Sequence, residues 1–171
     1  MISSSLNNGR PILGIDPGFN GGLSFLYPDT MDVVPFVTPT VKAGKTALDK
    51  SEIIRIITEQ NPILIVIEKV GAMPGQGVTS MFSFGYWAGF FEGVATGLGI
   101  PMVFVPPQTW MKEVLVGQPK GEKASIQFCQ RLWPKVEWRK SERCRTPHDG
   151  KTDSACIALY GYRKFKAESK I

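Results

Sequence analysis

Two carboxylates stand where carboxylates are costly. Asp16 closes the apolar run PILGID and Glu68 closes ILIVIE, so each is the last residue of a stretch that reads as a buried strand. A charge at the end of a core strand needs a partner. A buried Lys or Arg would serve for Glu68, and Asp16 before Pro17 also suits a turn. If the two strands are parallel neighbours, their ends share one edge of the sheet and the acids meet. Like charges at that edge raise each other's pKa and destabilise the fold. A divalent cation removes the conflict, and oxygen-only ligands suit Mg²⁺ or Mn²⁺. A second pair, Asp149 and Asp153 in HDGKTDSA, is four residues apart and shares one face at the start of a helix. Negative charge is favoured there, and Asp149 equally suits a simple N-cap. Four carboxylates around two ions about 4 Å apart form an arrangement that hydrolyses phosphodiesters. His148, next to Asp149, either helps position water or a phosphate or is a loop residue without a role.

The charge distribution fits a phosphate-bearing partner. The net charge of the 171 residues is +5, but it is uneven. Residues 1–100 hold six Lys/Arg against eight Asp/Glu, and residues 101–171 hold fourteen against seven. A basic half suggests nucleic acid or, more plainly, a solubilising surface. Within it, KVEWRKSERCRTPHDGK offers Arg143, Arg145 and Lys151 as candidate DNA contacts. Three cysteines without a CxxC pair argue for a reducing, cytoplasmic setting, and a single histidine argues against a Cys/His zinc site. The start, MISSSLNNGR, has no apolar core and reads as a polar tail, not a signal peptide. Residues 81–100 have the length of a membrane span, but Glu92 interrupts them and Gly and Ala are frequent, so a helix in a soluble domain is expected, with no membrane partner.

The elements that must position the acids follow from apolar periodicity. PILGID, LSFLY and DVVPFV read as three strands of an antiparallel meander, with DPGFNGG as the first turn. Thr38 to Thr46 reads as a loop. LDKSEIIRIITEQ has isoleucines at helical spacing and ends at Pro62. ILIVIE is apolar on both faces, as a buried parallel strand is, and MVFV is a second buried strand. Helices are expected over residues 81–100, 107–117, 120–133 and 151–165, with a basic loop before the last. The order is a mixed α/β fold in one domain, residues 11–165, between tails 1–10 and 166–171. Gly85, Gly89, Gly93 and Gly97 share one face of the aromatic helix. Close packing inside the monomer is the first reading of that stripe, and a subunit interface the second.

In order and spacing, ILGIDPG, VIEKV, VPPQTWMKEVLVGQPKGEKA and HDGKTDSACIAL resemble the RuvC-type Holliday junction resolvases, and MPGQG…SMFSFG resembles phage-encoded members. The resemblance spans roughly residues 11–163. It implies a ribonuclease H-like fold with a mixed five-stranded sheet flanked by helices. It also implies a homodimer and a Mg²⁺-dependent endonuclease, with two ions per site, making paired nicks in four-way DNA junctions. Asp16, Glu68, Asp149 and Asp153 then correspond to the catalytic acids, and Lys112 and Lys123 to DNA-contacting lysines. Two departures stand out. The last acidic pair in bacterial members is usually three apart, whereas Gly150 holds that position here, so Asp149, or alternatively His148, supplies the fourth ligand. The aromatic that wedges into the junction is replaced by Gly71, leaving Met73 or Phe82 as candidates. Alternatives are a nuclease acting on other branched DNA or on RNA, a non-catalytic DNA-binding module, and an ATPase using DPGFNGG as a phosphate loop.

Overall fold

The computed structural model describes residues 9–69, 78–119, 121 and 123–168. In chain order the elements are β1 (Ile12–Asp16), β2 (Gly22–Leu26), β3 (Val33–Val37), β4 (Thr40–Ala43), β5 (Lys45–Leu48), α1 (Lys50–Gln60), β6 (Leu64–Glu68), α2 (Val78–Gly97), β7 (Met102–Val105), α3 (Pro107–Val114), α4 (Ala124–Leu132) and α5 (Asp149–Glu168). The main sheet has the order β3-β2-β1-β6-β7. β1, β2 and β3 form the antiparallel meander, while β6 runs parallel to both β1 and β7.

Strand alternation divides the core into two layers. Leu13, Ile15, Ile65 and Ile67 point to one face, where they pack with Ile53, Ile57, Trp87 and Phe91 of α1 and α2. Ile12 and Val66 point to the other, against Trp110, Cys129 and Ala155 to Leu159 from α3, α4 and α5. α1 starts at Asp49, whose carboxylate accepts from Glu52 N–H at 3.1 Å, and stops at Asn61, which takes the left-handed conformation with φ 46°.

The last helix lies directly on the strands. A Cβ at Gly14 would overlap the Ser154 carbonyl and the Ala158 amide of α5, and one at Gly22 would overlap Gly150. Ser24 closes the contact with a buried hydroxyl pair to Ser154 at 2.7 Å and a bond donated to the Lys151 carbonyl at 3.1 Å. This is backbone-on-backbone packing, and only glycine permits it.

Several expectations need correction. Residues Thr38 to Thr46 are not a plain loop, because β4 and β5 pair as a hairpin turning at Gly44, where φ is 74°. Thr40–Ala43 alternates polar and apolar residues but Lys45–Leu48 does not, and four alternating residues are too few to stand out from a loop. MVFV is not fully buried: β7 is the sheet edge, and Val103 and Phe104 are exposed. α5 begins at Asp149 rather than Lys151 and continues to Glu168, and Arg10 donates to the Asn61 and Pro62 carbonyls, so the domain is longer at both ends than residues 11–165. Among the described residues the glycine stripe of α2 packs against nothing, since a Cβ at Gly85, Gly89, Gly93 or Gly97 would meet none of their atoms within 4 Å. Among the described residues no helix is long and apolar enough to cross a membrane.

Gly14→Ala is expected to lower unfolding free energy by about 3 kcal/mol or more, because neither backbone can withdraw from the added methyl. Urea denaturation measures this, and a loss below about 0.5 kcal/mol would show that α5 does not lie on β1 as described.

Candidate active site

The parity of the strands places the first two acids. Ile12 and Gly14 of β1 face α5, so Asp16 does too, and Leu64 and Val66 of β6 put Glu68 on the same side. The β1–β6 register pairs Ile15 with Ile67, and one step further brings Asp16 level with Glu68 at the strand ends. α5 then crosses this edge with its first turns, bringing Asp153 and Asp149 to the same place.

The electrostatics record the convergence. Burial, followed by the charges of Asp153, Glu68 and Asp149, holds the Asp16 carboxyl well above the usual carboxylate range. Asp153 is pushed up to about 6, chiefly by burial and further by Glu68 and Asp149, while a hydrogen bond with Ser125 works against the rise. Burial also raises Glu68, opposed by the indole N–H of Trp110, which donates to Glu68 Oε2 at 2.7 Å. Trp110 is fully buried, so this bond fixes the orientation of the Glu68 carboxylate from the core side.

Asp149 sits at the margin. Its side chain is 70% exposed and accepts from its own neighbour, Gly150 N–H, at 2.9 Å. It is therefore not an N-cap reaching into the next turn; the His148 carbonyl takes that role, accepting from Lys151 and Thr152 N–H. Gly150 explains the spacing of the acids. A Cβ there would strike Asn20 and Gly21 in the turn after β1, so the position three before Asp153 cannot carry a carboxylate. The same contact covers one face of the DPGFNGG turn, against its use as an open phosphate loop.

His148 is 12% exposed, and its buried Nδ1 has no hydrogen-bond partner among the described residues, lying 4.0 Å from Asp149 Oδ1. Burial, with Lys140 and Lys151 nearby, lowers its pKa against the opposing pull of Asp149.

Asp153 and Asp149 line a cleft of about 870 Å³ together with Trp110, Lys112, Gln118 and Ser125. Lys112 thus shares a cleft with two of the acids, whereas Lys123 lines a second cleft, to which Asp149 also belongs. Arg143 and Arg145 are exposed on the loop before α5. Lys151 departs from the expectation of a DNA contact. It is 8% exposed, and its ammonium donates to the Glu137 and Arg139 carbonyls at 2.8 and 2.9 Å. Phe82 is 78% exposed near the start of α2, while Met73 and the GAMPGQG loop lie outside the described residues.

Sequence reading missed Trp110, Ser125 and Lys140. Trp110 carried a faint signal, since a large aromatic in a short helix after the second parallel strand must point back to the sheet edge. Ser125 and Lys140 carried none.

An all-oxygen, acidic set fits hard divalent cations, and the raised Asp16 carboxyl marks charge that a cation would neutralise. Among the described residues no three His, Cys, Asp or Glu side chains are close enough to form a closed metal shell as they stand. Mutually repelling carboxylates are expected to stay apart without a cation, and Asp149 in particular must turn from Gly150 to join.

The chain matches no protein-family model and no curated protein. Its fold does match solved structures. RuvC of Thermus thermophilus in complex with Holliday junction substrate is similar with a TM-score of 0.60 at 12% identity, covering 94% of this chain and 97% of that one. The fowlpox virus Holliday junction resolvase gives 0.55 at 13% identity, covering 90% and 98%. The yeast mitochondrial Holliday junction resolvase Ydc2 gives 0.54 at 14% identity, covering 98% and 85%. The chain has the fold of these resolvases, a mixed five-stranded sheet flanked by helices, along nearly its whole length.

Two outcomes are expected. Trp110→Phe frees the Glu68 carboxylate and should weaken Mn²⁺ binding roughly tenfold, about 1.4 kcal/mol for a lost bond to a charged group. Calorimetric titration checks it, and unchanged affinity would show that the bond has no orienting role. For the cation-free protein, the native state holds the Asp153 proton up to about pH 6 while the unfolded chain releases it near pH 4. Stability therefore falls as pH rises through that window. Asp153→Asn removes the Asp153 share of the fall and leaves those of Asp16 and Glu68, so its advantage in Tm over the native chain should be absent near pH 4 and grow to a plateau above about 6. A difference independent of pH would contradict this.

Proposed function

We propose that the chain is a metal-dependent endonuclease that resolves four-way DNA junctions by paired, symmetric nicks. The observation that carries this reading is the convergence of Asp16, Glu68 and Asp153 on one sheet edge, where burial, and after it the charges of the neighbouring acids, raises the Asp16 carboxyl well above its ordinary range. The fold likeness to three junction resolvases supports the substrate class.

Asp16, Glu68 and Asp153 would hold Mg²⁺, or Mn²⁺ in its place, with Asp149 as the fourth ligand. Bound there, two such ions would lower the pKa of the attacking water and take up charge on the leaving 3′ oxygen. The protein groups do the positioning: Trp110 orients Glu68, Ser125 supports Asp153, and Lys112 in the cleft draws the phosphate backbone towards the acids.

The open glycine face of α2 supports a two-fold dimer. Gly89, Gly93 and Gly97 line an apolar groove of about 460 Å³ with Ile54, Phe90 and Leu98, and a second α2 can approach closely only where side chains are missing. Two sites related by a dyad would address the two symmetric strands of a junction. Phe82, exposed at the start of the same helix, is the described candidate for the junction wedge.

A mobile synthetic four-way junction incubated with Mg²⁺ should yield linear duplexes with ligatable nicks. Asp16→Asn and Glu68→Gln should each reduce the rate by at least about a thousandfold, roughly 4 kcal/mol of barrier, while junction binding survives. Normal cutting by either variant would remove the acids from the mechanism. Gly93→Arg should convert the dimer to monomer in sedimentation and replace paired nicks by single ones. A sedimentation profile unaltered by that substitution would place the interface elsewhere.

A further inference from the structure

The stretch WRKSERCRTPHDGK looks like a basic loop, but its root is built as a fixed structure. Arg139 and Pro147 form a bridge, and His148 N–H donates to the Trp138 carbonyl at 2.8 Å. Trp138 is buried beside Trp133. Lys151 reaches up from α5 and donates to the Glu137 and Arg139 carbonyls. Burying an ammonium costs several kcal/mol unless it is well bonded, so this residue holds the loop root at a defined position. Arg139 is taken up by Glu137. Lys140, Arg143 and Arg145 remain exposed above the root.

Beside the loop lies a second cleft of about 540 Å³, lined by Asn20, Lys123, Lys140, Thr146, His148 and Asp149. The cleft that holds Lys112 and Asp153 is lined by Asp149 as well. Asp149, the first residue of α5, thus lines both clefts, and each has lysine in its lining: Lys112 in the one, Lys123 and Lys140 in the other.

We propose that the two clefts form a single path for the cut strand, and that the loop at residues 138–148 is a preassembled clamp for its phosphate backbone on the side away from Lys112. Lys140 and Lys123 grip that backbone within the second cleft, Arg143 and Arg145 extend the grip outward, and Lys151 is the positioning residue. The ligand is a polyanionic DNA strand. This rests on the junction-nuclease reading above and adds to it which residues lie on either side of the cut.

Phosphate-ethylation interference on a four-way junction, with binding measured in EDTA across a NaCl series, tests it. The native protein should show sensitive phosphates in two clusters flanking the nick site. Lys140→Ala/Arg143→Ala/Arg145→Ala should lose one cluster and flatten the salt slope by roughly 2, from about 0.7–0.9 per phosphate contact. Lys112→Ala should lose the other cluster. Lys151→Met, which keeps the stem and removes the ammonium, should weaken the cluster belonging to the loop and spare the Lys112 cluster, a selectivity that general destabilisation would not give. Identical patterns in the triple variant and the native protein, or the same cluster lost in the triple variant and Lys112→Ala, would overturn the clamp while leaving the nuclease reading intact. A native protein that neither binds nor cuts any junction would overturn both.

Discussion

The contact between α5 and the sheet is the constraint from which the site follows. Gly14 and Gly22 offer no Cβ, so the helix backbone rests on the strand backbone instead of on a layer of side chains. Had either position carried even alanine, α5 would have to move outward, and Asp153 with it. The buried Ser24–Ser154 pair sets the helix along its axis, because an unmet hydroxyl in that position would be costly. Close approach and polar matching together fix where the first turn of α5 ends up, over the ends of β1 and β6.

That placement creates an electrostatic conflict that no cation among the described residues relieves. Asp16, Glu68 and Asp153 are forced together, and among the described residues the bonds near them come from Trp110 and Ser125, neutral groups that orient a carboxylate without cancelling its charge. Lys151, the nearest buried cation in sequence, is directed away to the Glu137 and Arg139 carbonyls. Among the described residues, then, a buried lysine is committed to a loop root and no cation is paired with these acids, which is the observation behind the proposal that a cation from solution binds them. The same turn explains why the acids of α5 are four apart: Gly150 is pressed into the turn at Asn20 and Gly21, so the acid one position earlier must reach in from the margin.

The glycines serve opposite purposes on the two sides of the sheet. In β1, β2 and α5 they allow contact within the chain. In α2 they line an apolar groove that none of the described residues fills. Spacing alone cannot separate these cases, because a stripe every four residues has the same periodicity whether it meets a sheet or a second molecule.

Much was legible in the sequence because it depends on local periodicity and chain order. The meander, the two parallel strands, α1 and the position of the acids at strand ends follow from apolar runs that stop at Asp16 and Glu68. The hairpin of β4 and β5 was not legible, since only the four residues Thr40–Ala43 alternate and their partner strand does not. Nor was the inward turn of Lys151, because a lysine in a basic stretch carries no mark of which carbonyls lie above it. The bond from Trp110 to Glu68 joins residues 42 apart, and the collision that reserves position 150 for glycine joins residues about 130 apart. The sequence determined which groups can carry charge and which segments must be buried, since both are properties of single residues and their spacing. Tertiary structure alone decided which charges meet, which are drawn inward and which face solvent, because those outcomes depend on distances that close only when α5 settles on the sheet.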